Sequence, residues 1–150
     1  MTFLRIILAE APKIEMEHEE DEYTFSTDGG TLVARDVSSD AFEHWLGEDT
    51  LKIARKKFKK LDYALVIEDI SVKGDEQQKG IGSALMKAVE DEARKQKYPV
   101  ILLNASPTGY VKNGKHTSMP LPKLVAFYKK HGYEELHGQG RNVVMYKKLK

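Results

Sequence analysis

The chain has no cysteine and no long apolar run. The first absence excludes disulfides, cysteine-bound zinc and covalent chemistry on a cysteine thiolate. It also fits a reducing compartment, and we expect a cytoplasmic protein. The second absence predicts a soluble chain without a membrane partner, because a membrane-spanning helix needs about 20 consecutive apolar residues.

An excess of charge of one sign is also lacking. The 24 Lys and Arg residues balance 23 Asp and Glu residues, so the formal net charge is +1. Binding to nucleic acid relies on positive charge against phosphate, and we therefore expect no nucleic-acid partner. The five histidines form no pair at the spacing of metal ligands, which predicts no metal site.

The composition is that of one globular domain. Of the 150 residues, 41 % are apolar and 31 % are charged, which is enough to bury a substantial core. We expect a single domain over residues 1–150.

Apolar periodicity predicts strands that alternate with helices. Alternating apolar residues around Asp28-Gly29-Gly30 predict a hairpin, since its turn needs positive φ. The other predicted elements, in chain order, are a strand at Phe3–Leu8, helices at Asp40–Leu46 and Thr50–Lys60, a central strand at Tyr63–Val72, a helix at Ser83–Gln96, a strand at Pro99–Asn104, a helix at Leu124–Lys130 and a strand at Asn142–Leu149. This order is typical of an α/β fold with a mixed sheet.

Between the central strand and the next helix lies a glycine-punctuated turn, Gln77-Gln78-Lys79-Gly80-Ile81-Gly82. The free backbone N–H groups of a helix N-terminus bind phosphate groups, and Gly80 and Gly82 carry no Cβ that would block the approach. The hydroxyl of Ser83 is a further candidate donor. The alternative is a tight strand-to-helix connection without a ligand.

A second motif lies 46 residues beyond Gly82, at Phe127-Tyr128-x-x-x-Gly132-Tyr133. Together, the two motifs in this order resemble the GCN5-related N-acetyltransferase (GNAT) superfamily over about residues 63–134. The resemblance implies a central twisted mixed sheet with helices on both faces.

The resemblance also implies an N-acetyltransferase that moves an acetyl group from acetyl-CoA to a primary amine of a small molecule or a protein. Direct attack by the amine is favoured, because no cysteine is present to carry the acetyl group. The alternative is a non-catalytic acyl-CoA sensor, or a partner-binding module, on the same fold.

In that family, a tyrosine matching Tyr128 often acts as general acid on the departing thiolate, and a strand carboxylate matching Glu68 acts as general base. The alternative for Tyr128 is a core position, although Phe127 is the better core candidate. The alternative for Glu68 is an ion pair with a cation such as Arg35 on a neighbouring strand.

Strict alternation along the central strand would place Val66, Glu68, Ile70 and Val72 on one face and Asp69 on the other. Asp69 is then structural, or a second carboxylate for the substrate. The resemblance implies that the backbone of Ile70, Ser71 and Val72 binds the pantetheine arm of CoA and polarises the thioester carbonyl.

The sequence departs from the family pattern at Leu121, where many members have an asparagine that contacts pantetheine. Asn104 is the substitute we consider. The loop Ala105–Pro122, with Tyr110 and His116, is a predicted substrate lid or else a plain surface loop. A homodimer through the edge of the C-terminal strand is a further possibility.

Overall fold

The computed structural model describes residues 13–58, 61–72, 80–106, 111–112, 115–116 and 120–149. The predicted strand at Phe3–Leu8 lies outside these residues. The strands are β1 Glu15–Glu19, β2 Glu22–Thr27, β3 Gly30–Ser38, β4 Tyr63–Val72, β5 Val100–Ala105, β6 Val111–Lys112, β7 Lys115–His116, β8 Glu134–Gln139 and β9 Asn142–Lys148. The α-helices are α1 Phe42–Leu46, α2 Glu48–Lys57, α3 Ile81–Lys95 and α4 Leu121–Lys130, with a 3-10 turn at Ser39–Ala41.

Seven of the described strands form one mixed sheet in the order β1-β2-β3-β4-β5-β9-β8. All neighbours in it are antiparallel except β4 and β5, which are parallel. Parallel neighbours need a crossover connection, and α3 lies in it. The small strands β6 and β7 pair only with each other among the described residues, within the predicted lid.

The sheet is covered by a hydrophobic core on each face. The α3 core contains, among others, Leu32, Leu65, Leu85, Ile101 and Tyr128. The α1–α2 core on the opposite face is built from other residues of the same strands and from α1 and α2, and includes Phe42, Leu51, Val66, Leu102 and Tyr146. Residues that alternate along β4 and β5 therefore enter different cores, which confirms a mixed sheet with helices on both faces.

Most predicted elements are confirmed, and the differences are at the sheet edges. The central strand has the predicted bounds, and the hairpin joins β2 to β3, with φ of 92° at Gly29 as its one positive φ. The edge strands β1 and β8 were not predicted. The C-terminal strand β9 lies between β5 and β8, so the prediction that it offers a free edge for a dimer is wrong.

No helix among the described residues is both long enough and apolar enough to cross a membrane.

A buried ion pair ties α3 to β9 and to the end of α4. The ammonium group of Lys147 donates to the carboxylate of Glu90 and, at 2.7 Å, to the backbone oxygen of His131. The side chains of Lys147 and Glu90 are only 21 % and 8 % exposed. Because the desolvated carboxylate has to be compensated, this contact constrains how the two helices sit against the sheet.

We predict that Lys147→Met lowers the free energy of unfolding by about 3 kcal/mol, because it leaves the buried carboxylate of Glu90 with only the more distant cation of Arg94, at 3.9 Å. The matched control is Lys129→Met, which removes the exposed ion pair to Glu135 at 2.7 Å and should cost less than about 1 kcal/mol. Urea unfolding measures both values, and equal losses in the two variants would contradict the prediction.

Candidate functional site

Strands β4 and β5 separate in the middle of the sheet. Residues Leu65–Ile67 of β4 pair with Ile101–Leu103 of β5, and the pairing ends there. Both strands continue beyond it, β4 to Val72 and β5 to Ala105. On its other side β4 stays paired with β3 up to Val72, and β5 stays paired with β9 up to Ala105. A wedge-shaped gap thus opens between these two strands inside the sheet.

A β-bulge lies where the gap begins. Val33 pairs with Asp69 and Ala34 pairs with Ile67, so Glu68 is an extra residue in β4. The bulge reverses the alternation of the strand: Leu65 and Ile67 enter the α3 core before it, and Ile70 and Val72 pack against the same core after it.

The prediction that Val66, Glu68, Ile70 and Val72 share a face is therefore wrong. Glu68 follows one residue after Ile67 and Asp69 precedes Ile70, so both carboxylates point away from the α3 core. The prediction that Asp69 faces the other way from Glu68 is also wrong, and the inserted residue is the reason in both cases.

Glu68 forms the ion pair that we considered as its alternative role. The Nε of Arg35 donates to the carboxylate of Glu68, and the two terminal nitrogens of Arg35 lie 2.8 Å from Asp21 Oδ1 and 3.0 Å from Glu22 Oε1. The four side chains form a cluster with one positive and three negative charges, which links the start of β2 to β3 and β4.

Tyr128 lies on α4 in the α3 core and is only 4 % exposed. Burial raises the pKa of Tyr128 to about 12, and the negative charge of Asp69 adds to the rise. The hydroxyl therefore keeps its proton throughout the neutral range, as a general acid requires. A core position and a catalytic role are compatible here.

The structure reverses the predicted roles in packing of Phe127 and Tyr128. Phe127 is only half-buried and covers the first turn of α3, whereas Tyr128 points into the core. A Cβ on Gly82 would lie 3.2 Å from Cζ of Phe127. Glycine at position 82 thus favours close contact between α3 and α4, a reason that the sequence motif alone did not reveal.

Gly80 has a different reason to be glycine. It is the N-cap of α3 with φ of 77°, and a Cβ there would have no heavy atom of the described residues within 4 Å. The left-handed backbone, rather than a nearby contact, therefore requires glycine at this position. Ile81 is buried below the turn, and Gln77, Gln78 and Lys79 lie outside the described residues.

Ser83, a predicted phosphate donor, has a protein partner. Its Oγ lies 3.1 Å from Nε2 of His131, the residue that ends α4. Burial lowers the pKa of His131, against an opposing effect of Glu90. Burial favours the neutral imidazole, and its contact with Ser83 links the end of α4 to the first turn of α3.

Two of the remaining predicted residues lie on β4 and β5. Asn104 is exposed and directly follows Leu103, the last residue of β5 that pairs with β4. Ser71 is exposed on β4. His116 is part of strand β7, and Tyr110 lies outside the described residues.

The family of the chain is shown by the match of residues 29–135 to the family described as acetyltransferase (GNAT) domain. These residues make up more than half of the chain and include β3 to β5, α3 and α4. The chain belongs to the GNAT acetyltransferase family.

Solved structures of other proteins share the fold of this chain. The PaiA N-acetyltransferase of Thermoplasma acidophilum, in complex with coenzyme A, superposes with a TM-score of 0.52 at 14 % identity, over 85 % of this chain and 60 % of its own. Naa50 of Arabidopsis thaliana, in complex with the bisubstrate analogue CoA-Ac-MVNAL, gives 0.53 at 19 % identity, over 87 % and 74 %. The anti-CRISPR protein AcrVA5 gives 0.53 at 20 % identity, over 83 % and 98 %.

The chain spans less than two thirds of the length of PaiA and of a GNAT-family acetyltransferase from Listeria monocytogenes, 60 % and 64 % respectively. None of the curated proteins matches it.

We predict that the protein loses stability as the pH falls from 7.5 to 5.5, partly through His131. The pKa of His131 is lowered in the folded state relative to about 6.5 in the unfolded chain. The unfolded chain therefore binds more protons below that value, and the stability present above it is lost as the pH drops.

Thermal unfolding at both pH values tests this, with His131→Gln as the variant and His44→Gln as the control at an exposed histidine. The fall in Tm should be smaller in His131→Gln than in the wild type and unchanged in His44→Gln. The same fall in all three proteins would contradict the role of His131.

Proposed function

We propose that the protein is an N-acetyltransferase that uses acetyl-CoA as its co-substrate and a primary amine as its acceptor. The observation that carries the proposal is the gap between β4 and β5, with the first turn of α3 following the strand that lines it. Membership of the GNAT family supports it.

The features of the gap fit the parts of acetyl-CoA. The backbone of Ile70, Ser71 and Val72 would bind the pantetheine arm in the manner of an added strand, because β5 does not pair with this part of β4. The N-terminus of α3, which begins at a left-handed Gly80, would bind the pyrophosphate. A backbone N–H from the same segment of β4 would stabilise the negative charge that develops on the thioester oxygen.

The acid and the base would come from opposite sides of the gap. Tyr128 would protonate the departing CoA thiolate, since its hydroxyl stays protonated at neutral pH. The proton of the amine would pass to a carboxylate at the bulge, where Glu68, the predicted base, and Asp69 are adjacent. Direct attack of the amine on the thioester carbon needs no covalent intermediate on the protein.

The proposal includes both a small-molecule amine and an amino group of a protein or peptide as acceptor. Naa50, a structural neighbour, has been solved in complex with the bisubstrate analogue CoA-Ac-MVNAL. A small amine and an amino group of a peptide both present the nitrogen nucleophile that this chemistry requires.

We predict that acetyl-CoA and CoA bind with a micromolar Kd and that ATP, which lacks the pantetheine arm, binds at least tenfold more weakly. Calorimetric titration measures binding, and thiol release over a panel of amines and peptides measures turnover. Binding of acetyl-CoA without turnover on any acceptor would favour the alternative interpretation, that the protein is a non-catalytic acyl-CoA sensor. No binding of acetyl-CoA would overturn the proposal.

We predict that Tyr128→Phe lowers kcat about 100-fold and leaves the Kd for acetyl-CoA within twofold, because the phenyl ring keeps the packing and loses the proton donor. The control is Tyr133→Phe, which removes a buried hydroxyl that has no hydrogen-bond partner among the described residues. Equal kcat values for Tyr128→Phe and the wild type would exclude Tyr128 as the acid.

A further inference from the structure

The two adjacent carboxylates of the bulge have different surroundings. Glu68 is held by Arg35, whose three nitrogens are all directed at carboxylates. The side chains of Arg35 and Glu68 are 30 % and 24 % exposed, and their contact lies at the surface of the protein. An oxygen of Glu68 that accepts a hydrogen bond from a guanidinium is directed at Arg35 and away from an incoming amine.

Asp69 has no such partner. It is exposed and forms no ion pair and no side-chain hydrogen bond with another residue that the structure describes. It is also the first residue of β4 beyond the bulge that pairs with β3, in the part of the strand that β5 has already left. Its carboxylate is therefore available at the inner end of the gap.

The negative charge of Asp69 also acts on Tyr128 of α4, where it adds to the rise in the pKa of Tyr128 that burial causes.

We propose that Asp69, and not Glu68, is the carboxylate that binds the acceptor amine and takes its proton, and that Arg35 is the positioning residue that holds Glu68 away from the substrate. This inference rests on the proposed function. It changes the assignment of the base that the family resemblance suggested.

The proposed step balances. The neutral amine nitrogen forms a bond to the thioester carbon, the carbon–sulfur bond breaks, and the proton of the amine passes to the carboxylate of Asp69. The phenol of Tyr128 gives its proton to the thiolate. The protonated Asp69 then returns a proton to the phenolate, directly or through water, which restores both groups. An amine that arrives as an ammonium ion first releases one additional proton to the solvent.

The test compares Asp69→Asn with Glu68→Gln, and Glu22→Gln is the matched control because it also removes a carboxylate from Arg35. With a fixed acceptor, we expect Asp69→Asn to lower kcat at least 100-fold. The loss of kcat in Glu68→Gln should be at least ten times smaller than the loss in Asp69→Asn, and kcat of Glu22→Gln should stay within twofold of the wild type. The Kd for acetyl-CoA should change less than twofold in all three, and circular dichroism melting identifies any variant that does not fold.

A second measurement does not depend on activity. In protein with 13C-labelled tyrosine Cζ, the signal of Tyr128 is assigned by its absence in Tyr128→Phe. This signal should titrate at a lower pH in Asp69→Asn than in the wild type, and at the same pH as the wild type in Glu68→Gln. A loss of kcat in Glu68→Gln that exceeds the loss in Asp69→Asn, or a Tyr128 titration that Asp69→Asn does not move, would overturn the assignment while leaving the acetyltransferase intact. A wild-type protein that binds acetyl-CoA and transfers acetyl to no amine would overturn both proposals.

Discussion

When two neighbouring strands stop pairing with each other but both continue, the backbone N–H and C=O groups that face the space between them form no hydrogen bonds from one strand to the other. In this protein β4 and β5 stop pairing after Ile67 and Leu103, and each remains paired on its outer side. The sheet therefore stays intact as a whole and opens only at its centre. Under the proposed function, this opening would hold the extended pantetheine arm of acetyl-CoA.

The helices on the α3 side set the shape of that opening. Gly82 lets α3 approach Phe127 of α4, and Lys147 binds Glu90 of α3 together with the backbone at the end of α4. The first turn of α3 and Tyr128 on α4 are thus positioned by one connected set of contacts.

The sequence predicts the elements of the central sheet better than it predicts their detailed geometry. The central strand Tyr63–Val72, the helix that follows the glycine turn and the hairpin at Asp28-Gly29 each carry a strong local signal, and each of these elements is confirmed. The bulge at Glu68 has no such signal, because an extra residue in a strand depends on how β3 pairs with it. Strict alternation therefore assigned the wrong faces to Ile70, Val72 and Asp69.

The edges of the sheet were missed for a related reason. In β1 every residue is exposed and most are acidic, so it looks like a solvated segment and has little strand propensity of its own. The relative burial of Phe127 and Tyr128 was also beyond local patterns, because it depends on how α4 packs against the sheet and α3. The Arg35–Glu68 pair was foreseeable as an alternative, but the additional contacts to Asp21 and Glu22 needed the register of three strands.

The most direct test of the gap as the acetyl-CoA site is amide hydrogen exchange with and without acetyl-CoA. The backbone amides of Ile70 to Val72 and the first turn of α3 should become protected, and the amides of the α1–α2 side should not change. Protection confined to α1 and α2, or binding of acetyl-CoA without any change in the exchange rates of the β4 amides, would contradict the gap as the binding site.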